Sequence, residues 1–170
     1  MSETPTQTPP KTQTAAQTET TARTATPPAT TREHHNSTVS VVPWRDATVE
    51  SLGFPVRSEY IEWFWLPVLG PSATWLLRRI DAGFEQYPDG YLLDARSTAQ
   101  ALGIAARDDA GTIFARALSR LQSFGIAHGN CNSLAVRRVL PPVAQRHLSR
   151  MPATVRDAHP QWVQNRVLAV

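Results

Sequence analysis

The chain has 170 residues, 41% hydrophobic and 18% charged, enough for one domain core but unevenly spread along the sequence. A formal net charge of +3 and a pI near 9.6 hint only weakly at an anionic partner. The single cysteine, Cys131, excludes an intrachain disulfide. No stretch approaches the roughly 20 apolar residues of a membrane span, and the opening MSETPTQTPP lacks an apolar signal segment, so a cytoplasmic chain without a membrane partner is expected.

Residues 1–40 are Thr, Pro, Gln and Ala with almost no large apolar side chains, and are expected to be a disordered tail. The domain is placed at 41–170, with its core at about 70–140. His34 and His35 are adjacent but have no further ligand nearby, which makes a poor metal site. Val39, Val41 and Val42 suit a short strand ended by Pro43. Residues 44–57 are expected along the surface, pinned by Trp44, Leu52 and Phe54. Ser58 is placed as the cap of a short helix through Trp65, interrupted by Pro67. Pro71 then suits the first turn of a helix to about Gln86, with Trp75, Leu76, Ile80 and Phe84 on its apolar face. The cluster Tyr60, Trp63, Phe64 and Trp65 is expected to pack in the core, with homodimerisation as the competing role.

Pro88-Asp89-Gly90 marks a turn, and 91–94 is short enough for one strand. Ser97 is placed as the cap of a brief helix, Thr98 to Leu102, with Ala99, Leu102 and Ile104 toward the core. The polar segment 105–111 leads to a helix over 110–124. Ile113, Phe114, Ala117, Leu118, Leu121 and Phe124 share one side of it at about 100° per residue. Thr112, Ala115, Arg116, Ser119, Gln122 and Ser123 share the other, with Arg120 at the border. Gly125 stops the helix. A strand at 126–128, a polar turn at 129–132 and a return strand at 133–139 follow. Helices at about 143–150 and 153–164 close the chain, and Val155 and Trp162 are expected to pack back on the domain or on a second copy.

Charge is segregated. Residues 110–170 hold eight arginines and one acid, a net +7, whereas 41–109 hold six arginines and ten acids, a net −4. Arginine supplies all but one of the basic residues and alanine is abundant, as expected of a GC-rich bacterial genome.

The order helix, strand, helix, helix, two-stranded hairpin over residues 70–140 resembles that of bacterial winged helix-turn-helix DNA-binding proteins. The stretch FARALSRLQSFGIA (114–127) carries the likeness. The fold class expected is therefore α+β, mainly helical: a winged helix-turn-helix domain with flanking N- and C-terminal helices. The 103–110 connection is longer than a tight helix-turn-helix uses.

The resemblance implies double-stranded DNA as partner and a role in transcription regulation. The basic half makes Thr112, Arg116, Ser119, Arg120, Gln122 and Ser123 on the helix the candidate contacts, with His128, Arg137 and Arg138 on the hairpin. Arg146, Arg150, Arg156 and Arg166 lie beyond the hairpin, so the basic surface extends into the C-terminal helices or those helices carry dimer contacts. The alternatives are a protein–protein interaction module without DNA binding and a replication or partition factor of a mobile element. No catalytic activity, cofactor or metal is expected. Asp108 and Asp109 read as helix caps, Cys131 and His128 lack an orienting partner, and the glycines mark separate turns rather than a phosphate loop.

Overall fold

The structure, a computed structural model, describes residues 38–103, 108–130 and 132–168; side chains at 108–112 are not among those described. Most of the expected tail, Ile104 and Cys131 lie outside the described residues. The chain runs β1 (Thr38–Pro43), α1 (Ala47–Leu52), β2 (Phe54–Pro55), a π-helical turn (Ile61–Trp65), α2 (Leu66–Leu69), α3 (Pro71–Gln86), β3 (Tyr91–Asp94), α4 (Ala95–Ala101) and α5 (Asp108–Ser123). It continues through β4 (Ala127–Gly129), β5 (Ser133–Val136), β6 (Val139–Leu140), α6 (Gln145–Leu148) and α7 (Ala153–Leu168). The result is a mainly helical α+β fold with a small mixed sheet.

The sheet has the order β3-β1-β5-β4. β1 lies antiparallel to β3, with Val39 opposite Leu93, and parallel to β5, with Val41 opposite Leu134. Thr38 to Ser40, expected in the tail, thus belong to the sheet. Val39 and Val41 alternate inward as the period of two demands. β4 and β5 form the expected hairpin. The strand before α4 does not pair with this hairpin directly, because β1 is inserted between them. A second, two-stranded sheet joins β2 to β6, with Phe54 opposite Leu140.

Helix α3 supplies the centre of the core through Leu76, Leu77, Ile80 and Phe84, all buried. These recur at helical spacing, and α5 packs on the same face with Phe114, Ala117 and Leu121. Trp75, expected on the buried face, falls on the opposite side of the helix and is 56% exposed; Leu77 takes its place. Ile113 and Leu52 are likewise exposed.

Four local expectations are corrected. Pro67 does not end the preceding helix. The turn before it widens so that the Leu66 amide donates to the Ile61 carbonyl, five residues back, and the helix continues through the proline. The Ser58 hydroxyl donates to the Pro55 carbonyl instead of capping that helix. Asp94, not Ser97, caps α4, accepting from the Ser97 amide at 2.6 Å. The return strand is shorter than expected: the Arg137 amide still reaches the Ile126 carbonyl opposite it, and the chain then leaves the hairpin so that Val139–Leu140 pairs with β2.

Of the aromatic cluster, Tyr60, Phe64 and Trp65 are buried in the core while Trp63 is 51% exposed. Tyr60 stacks on Phe54 at 3.5 Å between ring centroids. Of the four aromatic residues, Trp63 is thus the one left exposed. Val155 and Trp162 of α7 pack against the core of their own chain.

Candidate nucleic-acid interface

Helix α5 and the β4–β5 hairpin form one braced unit. Gly125, at φ +66°, reverses the chain at the end of α5, and the Ile126 amide then donates to the Leu121 carbonyl. The Gln122 side-chain amide donates to the Gly129 carbonyl at 3.1 Å, tying the helix to the hairpin. The Asn130 carboxamide accepts from the amides of Asn132 and Ser133, and the Asn130 amide donates to Ser133.

The outer face of α5 is exposed at Arg116, Ser119, Arg120, Gln122 and Ser123. The described structure gives the Arg116 guanidinium no hydrogen bond or ion pair. Arg120, one turn later, is anchored: its Nε and Nη2 both donate to the Val68 carbonyl, at 3.3 and 3.0 Å. That carbonyl fixes the guanidinium without neutralising it. The Ser123 hydroxyl donates back to the Ser119 carbonyl. The Thr112 side chain lies outside those described.

The hairpin arginines have partners within the chain. Arg137 is 9% exposed, with its guanidinium 3.6 Å over the Trp44 ring. It donates to the Gly125 carbonyl at 3.1 Å and to the Asp46 carboxylate at 3.0 Å. Asp46 also caps α1, and the Val49 amide, followed by Arg137, holds its carboxyl below its ordinary value. Arg138 donates to Asp81 at 2.8 Å, and Asp81 also pairs with Arg57 at 2.9 Å. Both are candidate DNA contacts by sequence, but carboxylates from the acidic half engage both: Arg137 is buried, whereas Arg138 keeps a side chain 36% exposed while paired with Asp81. His128 is exposed, its ring edge-on to Trp44 at 4.3 Å.

The same pairing revises the charge asymmetry. Two of the eight C-terminal arginines are neutralised by Asp46 and Asp81, and Arg156 pairs with its neighbour Asp157. Arg166 donates to the Gly53 carbonyl. Among the described residues, the C-terminal arginines with no carboxylate partner besides Arg166 are Arg116 and Arg120 on α5 and Arg146 and Arg150 around α6, of which Arg120 and Arg150 line one cavity. Arg146 and Arg150 stand on and just after α6, and only the charge count of the sequence pointed to them.

Among the described residues no group of three or more His, Cys, Asp or Glu side chains is placed to hold a metal ion, and no helix is long and apolar enough to cross a membrane. Comparison with family models, curated proteins and solved structures finds no match to this chain.

Proposed function

We propose that the chain binds double-stranded DNA through the outer face of α5 and the β4–β5 hairpin, as a winged helix-turn-helix transcriptional regulator does. The observation that carries this reading is the state of Arg116. It stands exposed in the middle of a helix whose residues 110–123 contain no acid, and it has no intramolecular partner among the described residues. A helix of this kind fits the major groove, where an arginine fork meets guanine O6 and N7. Ser119 and Ser123 are short enough to allow close approach. The Gln122 brace holds the hairpin against the helix, which suits a wing beside the groove. Arg137 and Arg138 leave the contact set and act as internal supports.

Selection of bound duplexes from random fragments, followed by titration of the best one, tests the proposal. Arg116→Ala is expected to weaken the selected site by roughly 5- to 150-fold, the range for loss of one bidentate base contact. Wild-type affinity is expected to fall steeply with salt. Equal retention of the duplex by wild type and Arg116→Ala, or the lack of salt-dependent retention by wild type, overturns it.

A second reading, a protein-interaction module, is favoured by the exposed Trp63 and Trp75. The two belong to neighbouring elements linked by Arg78, which pairs with Glu62 at 2.6 Å and lies 5.6 Å from the Trp75 ring centroid. It predicts a protein complex lost on Trp63→Ala or Trp75→Ala and no salt-sensitive duplex retention.

A further inference from the structure

A cavity of about 260 Å³ opens between α2, the end of α5 and the segment around α6. Val68, Phe124 and Met151 supply apolar lining, and the polar lining is Arg120, His147 and Arg150; no carboxylate lines it. Arg146 adjoins it, its Nε donating to His147 Nε2 at 3.1 Å. Another cavity, about 400 Å³, makes the contrast. There Arg57 and Arg138 face Asp81 and Glu85, and the charges are paired within the chain.

Three guanidinium groups gathered around a neutral imidazole without a counter-charge repel one another and are stabilised by an incoming anion. The arrangement is also built in advance. The Val68 carbonyl orients Arg120 while leaving its Nη1 unused. Phe124 holds the His147 ring at 5.3 Å, edge to face. Burial, and then the neighbouring Arg146 and Arg150, hold the His147 pKa below its ordinary value. Arg150 is exposed, and the described structure gives its guanidinium no partner.

From the geometry of these groups we infer that this notch binds a phosphate group. Several cationic donors lining or adjoining one notch match an oxyanion with three or more acceptor oxygens. The phosphate has two possible sources, a nucleic-acid backbone or a free phosphorylated molecule. Arg120 stands one turn from Arg116 on α5, so a duplex seated on that helix brings its flanking backbone to the notch. The inference rests on the duplex reading only for the choice of source.

The test follows the His147 imidazole resonances of the full chain by NMR in chloride buffer at constant ionic strength. One arm adds inorganic phosphate, the other a random-sequence 20-base-pair duplex. A saturable shift in either arm, weakened about tenfold or more by Arg150→Ala, supports the notch. A response to duplex alone assigns the backbone as source, and a response to inorganic phosphate assigns recognition of the group itself. Arg150 has no side-chain partner among the described residues, so an unchanged melting temperature serves as the folding control. The inference is overturned if neither arm shifts His147, or if Arg146→Ala and Arg150→Ala together leave both midpoints at the wild-type value. Absence of duplex binding with a surviving phosphate response sinks the DNA reading and leaves the notch standing.

Discussion

The Arg137 guanidinium joins Asp46, from the acidic half of the chain, to the Gly125 carbonyl at the end of α5, while sitting over the Trp44 ring. One side chain thus fastens the N-terminal segment to the unit that carries the candidate interface. A lysine in its place keeps the charge but loses the planar fork and the stacking. Arg137→Lys is expected to lower stability by about 1.5–3 kcal/mol, the scale of a lost hydrogen bond to a charged group, as read by urea unfolding. Duplex affinity at a temperature where the variant is folded should stay at wild type, which separates this residue from Arg116.

Asp81 stands between Arg57 and Arg138, with its own side chain only 8% exposed. Asp81→Asn leaves two guanidinium groups facing each other without their shared anion. Breaking a fully buried pair costs about 3–5 kcal/mol. Both arginines are partly solvated here, so a loss of about 1–3 kcal/mol is expected by denaturant titration. Unchanged stability would show that solvent already screens the triad.

Gly83 lies in the last turn of α3, at a helical position where alanine ordinarily stabilises by about 1 kcal/mol. Here the Tyr91 ring packs directly on the glycine, where an added Cβ would overlap it, and the Tyr91 hydroxyl donates to the Ile80 carbonyl at 3.1 Å. Gly83→Ala is therefore expected to reverse the usual sign and destabilise by about 1–3 kcal/mol through overpacking. Pairing with Tyr91→Ala should remove most of that penalty, a coupling that a double-mutant cycle measures.

Tyr60 and His159 form a buried pair, 2.7 Å apart, and the Tyr60 hydroxyl also accepts from the Val143 amide. Burial pushes the tyrosine up to about 12 and holds the histidine below its ordinary value. With the Val143 amide on the hydroxyl oxygen, the phenol proton goes to neutral His159 Nε2. The unfolded chain then binds more protons than the folded one below pH 6.5, the ordinary histidine value, so stability rises with pH in that window. The contribution is complete above 6.5 and is lost as the pH falls through the folded pKa. His147, lowered in the same direction, adds to it. Melting temperatures between pH 7.5 and 5 should fall for wild type and fall less for His159→Gln; parallel curves would exclude His159 as a source of the slope.

Periodicity alone determined the elements that local spacing encodes: the apolar stripe of α5, the β4–β5 hairpin, the helix begun at Pro71 and its order relative to the next strand. Helical and strand periods are properties of neighbouring residues, so they can be read without knowing the partner. Composition likewise located the excess of arginine after residue 110. Only the tertiary structure decided which of those arginines remain available, because Asp46 and Asp81 lie 91 and 57 positions away from the residues they neutralise. The insertion of β1 between β3 and β5, and the pairing of β6 with β2, are long-range choices of the same kind. Charge counted along a chain ignores such pairing. In the fold, Arg137 and Arg138 are paired within the chain, and Arg116, Arg120, Arg146 and Arg150 are not paired with a carboxylate among the described residues.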